Sequence, residues 1–201
     1  MITIGITGQS GSGKGFVSKE FKKLGYVHAD ADAIYHDILD KSGDLRGELV
    51  CAFGSDIEKD GKIDRKALGA KVFGKKNQRK LAKLNKITHK YVCREYIKLI
   101  IKAKADGEKG FIIDAPLLIE ARLHKLCAAC ICVVCSEETR IQRIMARDKI
   151  DRAAAELRVN SQKPIEFYTS QCDFVYLNDG GGDAAAFAAE IDKTLTKAGG
   201  F

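Results

Sequence analysis

The octapeptide Gly8-Gln9-Ser10-Gly11-Ser12-Gly13-Lys14-Gly15 constrains this chain more than any other feature. It fits the spacing G-x-x-x-x-G-K. The β-branched run MITIGIT precedes it, and a helical pattern from Phe16 to Lys23 follows. Strand, glycine-rich turn and helix form the context in which this spacing cradles phosphate. Glycines let successive backbone N–H groups converge on phosphate oxygens, and the helix adds its positive N-terminal end. Lys14 then supplies a point charge for β- and γ-phosphates. The motif normally continues with Ser or Thr, whose hydroxyl meets Mg²⁺, and here Gly15 has none. Phosphate cradling survives that change and one metal oxygen is lost. Water is an adequate substitute, because Mg²⁺ keeps several aqua ligands.

The rest of the chain reads as alternating strands and helices. Tyr26–Ala29 is a second strand, closing on Asp30 and Asp32. Gly110–Ile113 is a third, the run from Ala128 to Cys135 a fourth, and Phe174–Leu177 a fifth. Helical patterns cover Ala33–Phe53, a stretch from Arg65 N-capped by Asp64, and a long segment through Leu81, Leu84, Ile87 and Tyr91 towards Lys104. They return at Glu137–Arg147 and Asp183–Lys197. Lys59-Asp60-Gly61-Lys62 signals a turn. This order predicts an α/β fold with a parallel sheet and helices on both faces. The excursion between strands two and three is too long for one crossover. It predicts a helical insertion over about 33–106 in a core of about 1–32 and 107–201.

Composition excludes several classes. With 201 residues, 45% hydrophobic and 30% charged, and only 2 prolines, the chain is neither disordered nor fibrous. Its longest apolar runs fall far short of the roughly 20 residues that span a bilayer. The N-terminus lacks the flank and cleavage pattern of a signal peptide, so a cytoplasmic location is expected. The net charge of +7 is uneven: Lys62–Lys109 holds 16 Lys and Arg against 4 Asp and Glu. Such a segment is either a solvated lysine-rich helix face or a surface for a phosphate-rich small molecule. Nucleic-acid motif spacings are absent. The 7 cysteines do not suggest a disulfide framework. Cys127, Cys130, Cys132 and Cys135 lie in an apolar run typical of a buried strand. Alternation would put Cys130 and Cys132 on one face and Cys127 and Cys135 on the other, which disfavours a single metal cluster.

Asp30 and Asp32 follow strand two, where a parallel sheet places ligand-binding groups. Alternation turns two strand residues with one between them the same way, and one such carboxylate can orient or deprotonate an acceptor hydroxyl. The competing reading makes one of them a helix N-cap.

Beyond these local arguments, the chain resembles the dephospho-coenzyme A kinase family of P-loop kinases. The matching segments are Gly11-Ser12-Gly13-Lys14, Asp30-Ala31-Asp32-Ala33-Ile34, Gly61-Lys62-Ile63-Asp64-Arg65, Thr88-His89-Lys90, Asp114-Ala115-Pro116-Leu117-Leu118-Ile119-Glu120, Arg143–Arg147 and Asp173–Asn178. They appear in order between residues 5 and 180. Gly15-Phe16 replaces the usual Ser-Thr, His36 a usual Arg, Lys90 a usual Pro and Arg140 a usual Gln. The resemblance implies a P-loop kinase fold with a five-stranded parallel sheet, an inserted helical substrate-binding subdomain and an Arg-rich lid over about 140–165. It implies transfer of the γ-phosphoryl of ATP to the ribose 3′-hydroxyl of dephospho-coenzyme A, with Mg²⁺ as cofactor. Lys14, Asp32, Arg143 and Arg147 take the catalytic roles. Gly11, Ser12, Gly13, Lys14, Gly15, Phe16 and Asn178 take ATP, with Arg158 and Gln162 at lid positions. Asp32, His89, Pro116 and Leu117 take the acceptor, and Asp114 meets the metal through water or braces a loop. Arg143 and Arg147 also fit a solvated helix face, and His89 also fits a structural histidine. The partners expected are small molecules only, with no nucleic acid and no membrane, and the chain is expected to be a monomer or weak oligomer. The alternatives are another small-molecule P-loop kinase and a nucleotide-binding protein whose catalysis is impaired by Gly15.

Overall fold

The computed structural model describes residues 1–198. In chain order the elements are β1 (Ile2–Thr7), α1 (Lys14–Lys23), β2 (Tyr26–Asp30), α2 (Ala31–Lys41), α3 (Gly43–Phe53), β3 (Glu58–Lys59), β4 (Lys62–Ile63), α4 (Arg65–Val72), α5 (Gln78–Ala105), β5 (Gly110–Asp114), β6 (Ala129–Val134), α6 (Glu137–Asp148), α7 (Arg152–Asn160), α8 (Ile165–Thr169), β7 (Phe174–Leu177) and α9 (Ala184–Ala198). They form two compact units, one of residues 1–30 and 100–198, the other of residues 31–99.

The first unit holds a five-stranded sheet in the order β2-β5-β1-β6-β7, with every pairing parallel. β1 is central, flanked by β5 and β6, so its residues are buried from Thr3 to Thr7. That placement explains its uninterrupted apolar and β-branched character. On one face Ile4, Ile6, Ile112, Ile131 and Val133 pack with Val17 and Phe21 of α1 and with Ala184, Ala188 and Ile191 of α9. The other face is covered by the segment after β5, where Leu118 and Leu123 are fully buried, and by α8 against β6. Gly5 points that way, and a Cβ on it would lie 2.7 Å from Leu118 Cδ2 and 2.9 Å from Cys127 Sγ. Only hydrogen fits there.

Two expectations need correction. A Cβ on Gly5 would also lie 3.3 Å from Cys130 Sγ, so Cys127 and Cys130 share a face. β6 begins only at Ala129, and strand alternation does not extend back to Cys127. The helical pattern over Ala33–Phe53 is two helices, because Ser42 leaves the helical region (ψ 107°) and its side chain accepts from Leu45 N as the N-cap of α3.

The second unit is mostly helical. Asp64 caps α4 by accepting from Lys66 N and Ala67 N. The turn at Asp60-Gly61 joins the two-stranded antiparallel ribbon of β3 and β4. Glu48 pairs with Lys90 and accepts from Tyr91, linking α3 to α5.

Candidate active site

β1 delivers the chain to the glycine-rich loop at the C-terminal edge of the sheet. Gly13 takes a left-handed conformation (φ 89°) just before α1. A Cβ there would fall 2.1 Å from Asn178 Nδ2, so both the turn and the close approach require glycine. Lys14 opens α1, and its ammonium donates to Gly8 O at 3.0 Å. The lysine thus lies back across the loop. Ser12 Oγ is buried and has no hydrogen-bond partner.

The carbonyl side of the loop is held by α6 and by the residue after β7. Arg140 Nε donates to Ser10 O at 3.1 Å. Arg143 Nη1 donates to Gly11 O and Ser12 O at 3.3 Å each, and its Nη2 to Asn178 O at 3.0 Å. Asn178 Nδ2 donates to Ser12 O at 2.8 Å. Ser10 N donates to Gln162 Oε1 and Ser12 N to Gln9 O, so an anion would be met by the N–H groups at the end of the loop and the start of α1. Arg147 reaches Ser10 Oγ at 3.4 Å and pairs with Asp148, which also takes Arg158. These arginines hold the Asp148 carboxyl below its usual range. α6 and α7 share a small core of their own, Ile141, Ile144, Ala155 and Val159. Phe16 is half exposed at the start of α1.

Asp114 ends β5, and strand register sets it opposite both Ile6 of β1 and Asp30 of β2. Its Oδ2 accepts from Ser18 Oγ at 2.8 Å, and His28 Nε2 lies 3.3 Å away. Ser18 and His28 are contacts that motif spacing did not single out. Their signal is positional: Ser18 is one turn beyond Gly15, and His28 alternates with Asp30. The carboxylate is a hard oxygen donor beside the loop, of the kind Mg²⁺ prefers. A Cβ at Gly15 would meet nothing within 4 Å, so there is room for a hydrated ion. Among the described residues no group of three or more His, Cys, Asp or Glu side chains is arranged to hold a metal. The donor set therefore fits an ion held largely by phosphates and water.

The remaining expected residues are distributed as follows. β2 ends at Asp30 and α2 begins at Ala31, so Asp32 lies in a first helical turn and not on a strand. Alternation does not govern its direction. His89 sits on α5 in the second unit; burial lowers its pKa, and its Nε2 has no hydrogen-bond partner. Pro116 and Leu117 form an exposed turn just after Asp114, with Thr7 Oγ1 donating to Pro116 O at 3.3 Å.

The sequence-family model for dephospho-CoA kinase matches residues 2–183. This chain belongs to the dephospho-CoA kinase family. The kinase of Carboxydothermus hydrogenoformans is 38% identical over 88% of this chain and 85% of its own length. That of Arabidopsis thaliana is 36% identical over 91% of this chain and 78% of its own. Among solved structures, dephospho-CoA kinase from Campylobacter jejuni superposes with a TM-score of 0.67 at 26% identity, covering 98% of each chain. TT1252 from Thermus thermophilus gives 0.78 at 27%, covering 96% of each. A shikimate kinase from Acinetobacter baumannii, 16% identical with a TM-score of 0.54, shares the fold. The five-stranded parallel sheet is therefore that of the P-loop kinases.

Proposed function

We propose that this chain phosphorylates the ribose 3′-hydroxyl of dephospho-coenzyme A with ATP, giving coenzyme A and ADP. The observation that carries the reading is the phosphate loop with its carbonyls held by α6, in a chain of this family. The ATP triphosphate lies on the loop N–H groups and the α1 N-terminus, with Lys14 against the β- and γ-phosphates. The 3′-oxygen forms a bond to the γ-phosphorus while the bond to the β,γ-bridging oxygen breaks. Asp32 takes the hydroxyl proton, and the electron pair leaves on ADP. Support for Asp32 comes from the chain: it follows by two residues the strand end that is in register with Asp114. Arg143 and Arg147 offset charge on the transferring group, a recurrent role for arginines of mobile segments. The α6–α7 hairpin, with its private core, is the lid. Mg²⁺, with Asp114 reaching it through water, would neutralise phosphate charge. For the acceptor, the family resemblance points to the Pro116-Leu117 turn in the first unit and to His89 in the 31–99 unit, each taken by itself, with the 31–99 unit as the acceptor-binding insertion.

No helix among the described residues is long and apolar enough to cross a membrane. We place the enzyme in the cytoplasm with its co-substrate ATP. We expect a monomer or weak oligomer with small-molecule partners. A coupled ADP assay with ATP, Mg²⁺ and a panel of acceptors tests the reading. Turnover with dephospho-coenzyme A well above that with nucleosides or shikimate is expected. Nucleotide binding without transfer to any acceptor would overturn it in favour of an impaired kinase.

A further inference from the structure

α6 meets the phosphate loop with three arginines, and the reading above gives a role in phosphoryl transfer to Arg143 and Arg147 but none to Arg140. Arg140 is 5% exposed. Besides Ser10 O, it donates from Nη1 to Gln9 Oε1 and from Nη2 to Gln162 Oε1, each at 2.7 Å. Gln162 Oε1 also accepts from Ser10 N at 3.0 Å, and Gln9 Nε2 donates to Lys163 O at 2.9 Å. One guanidinium thus ties the first half of the loop to the segment just beyond α7. All of its acceptors are neutral. Burial lowers its pKa, but arginine keeps its proton in proteins. Glu137 acts on it through space, but a buried guanidinium with no carboxylate among its acceptors is costly. Glutamine, the residue usual here in the family this chain resembles, would offer hydrogen bonds without that cost. An anion arriving on the loop would add to the compensation that Glu137 gives.

We infer that Arg140 is a positioning residue for nucleoside polyphosphate. It fixes the Gln9-Ser10 edge of the loop, anchors it to Gln162, and adds a built-in cation beside a loop whose Gly15 lacks the metal-binding hydroxyl. The inference rests on the kinase reading and extends it to how this chain holds its nucleotide. It also distinguishes Arg140 from Arg143. The latter touches the loop carbonyls nearest Lys14, whereas Arg140 engages Gln9 and Ser10 at the loop's entry.

The test is calorimetric titration of ATP into the intact protein, with Mg²⁺ and with a chelator, alongside steady-state kinetics. Failure of the native protein to bind ATP would sink the kinase reading itself. Given native binding, Arg140→Gln is expected to weaken ATP binding about tenfold, most clearly without metal, and to raise KM for ATP alike. The kcat and the KM for dephospho-coenzyme A should stay within about twofold, since neither reports on this contact. Arg140→Lys keeps charge without the fork and should fall between. Gln162→Ala leaves the charge, removes one anchor and should weaken ATP about threefold. ATP affinity within about twofold of native in both Arg140→Gln and Gln162→Ala would overturn the inference. So would a loss shared equally by kcat, both KM values and thermal stability, which marks a merely structural arginine. Should Arg140→Gln not fold, the lysine and Gln162 variants decide by the same criteria.

Discussion

Replacing Gly15 by serine separates the loop's two jobs, cradling phosphate and meeting metal. The position is the second residue of α1, its φ is not positive, and a Cβ there meets nothing within 4 Å. The backbone therefore need not move. In a helix glycine costs roughly 1 kcal/mol relative to alanine and serine about half that, so the substitution should add ~0.5 kcal/mol of stability. For a chain of this length that is about 1–2 °C in Tm. The new hydroxyl also offers the metal an oxygen beside Asp114. One such contact is worth on the order of 1–2 kcal/mol, taking a charge-assisted hydrogen bond as the guide. The Mg²⁺ concentration for half-maximal rate should then fall about 5- to 30-fold, with the acceptor preference unchanged. Mg²⁺ titration at saturating ATP and dephospho-coenzyme A, and a thermal melt without ligand, read the two effects separately. A higher Tm with an unmoved Mg²⁺ midpoint would refute the metal argument and mean that a carboxylate already fills the position. A lower Tm would refute the claim that the position is open. Activity seen only in the variant would show that the native chain is an impaired kinase.

Lys14→Ala should abolish turnover and weaken ATP binding, while Asp32→Asn should lose kcat with ATP affinity kept; equal kcat losses for Asp30→Asn would mean that the proton acceptor was misassigned. Gly5→Ala drives a methyl into Leu118 and Cys127 and should cost about 1–3 kcal/mol by denaturant titration; a change within error would mean that this face yields. Burial raises the Glu120 carboxyl pKa, and its Oε2 has no hydrogen-bond partner. Because the folded pKa lies above the unfolded one, ionisation costs stability as pH rises beyond about 4.3. Glu120→Gln should therefore raise Tm at pH 8 and lose that gain by pH 4, and an equal gain at both would exclude titration as the cause.

The sheet was legible because each strand is short, apolar and bounded by turn residues. Phe174–Leu177 agrees with the structure at both ends, and the other four strands agree within a residue or so. The glycine loop was legible because phosphate cradling needs glycine at fixed spacing. What sequence pattern missed depends on three-dimensional partners. Periodicity ran straight through Ser42, since a capping side chain interrupts a helix without interrupting its hydrophobic stripe. Alternation failed at Asp32 and Cys127, each just outside a strand end, where the period-two rule stops. α7 and α8 went unread because Ala153, Ala154 and Ala155 carry little apolar contrast and α8 is barely more than one turn. Arg140 stood out only as a departure from a family pattern. Its acceptors, Gln9 and Gln162, are far apart in the chain, and only the fold brings them to it.

The position of β1 at the centre of the sheet also sets an order of assembly. Its two neighbours are paired through Ile2 with Gly110 and through Ile4 with Ala129, so β1 has no ladder partner until Gly110 and the residues after it have been synthesised. The 31–99 unit lies wholly within that interval, and its ribbon and helices make their contacts from residues already emerged. During synthesis the insertion can therefore condense while the apolar N-terminal strand is still waiting, exposed, for its ladder. Parallel sheets of such long separation are slow to close and prone to off-pathway association. Nascent chains arrested before Gly110 should thus be the species that most needs a chaperone.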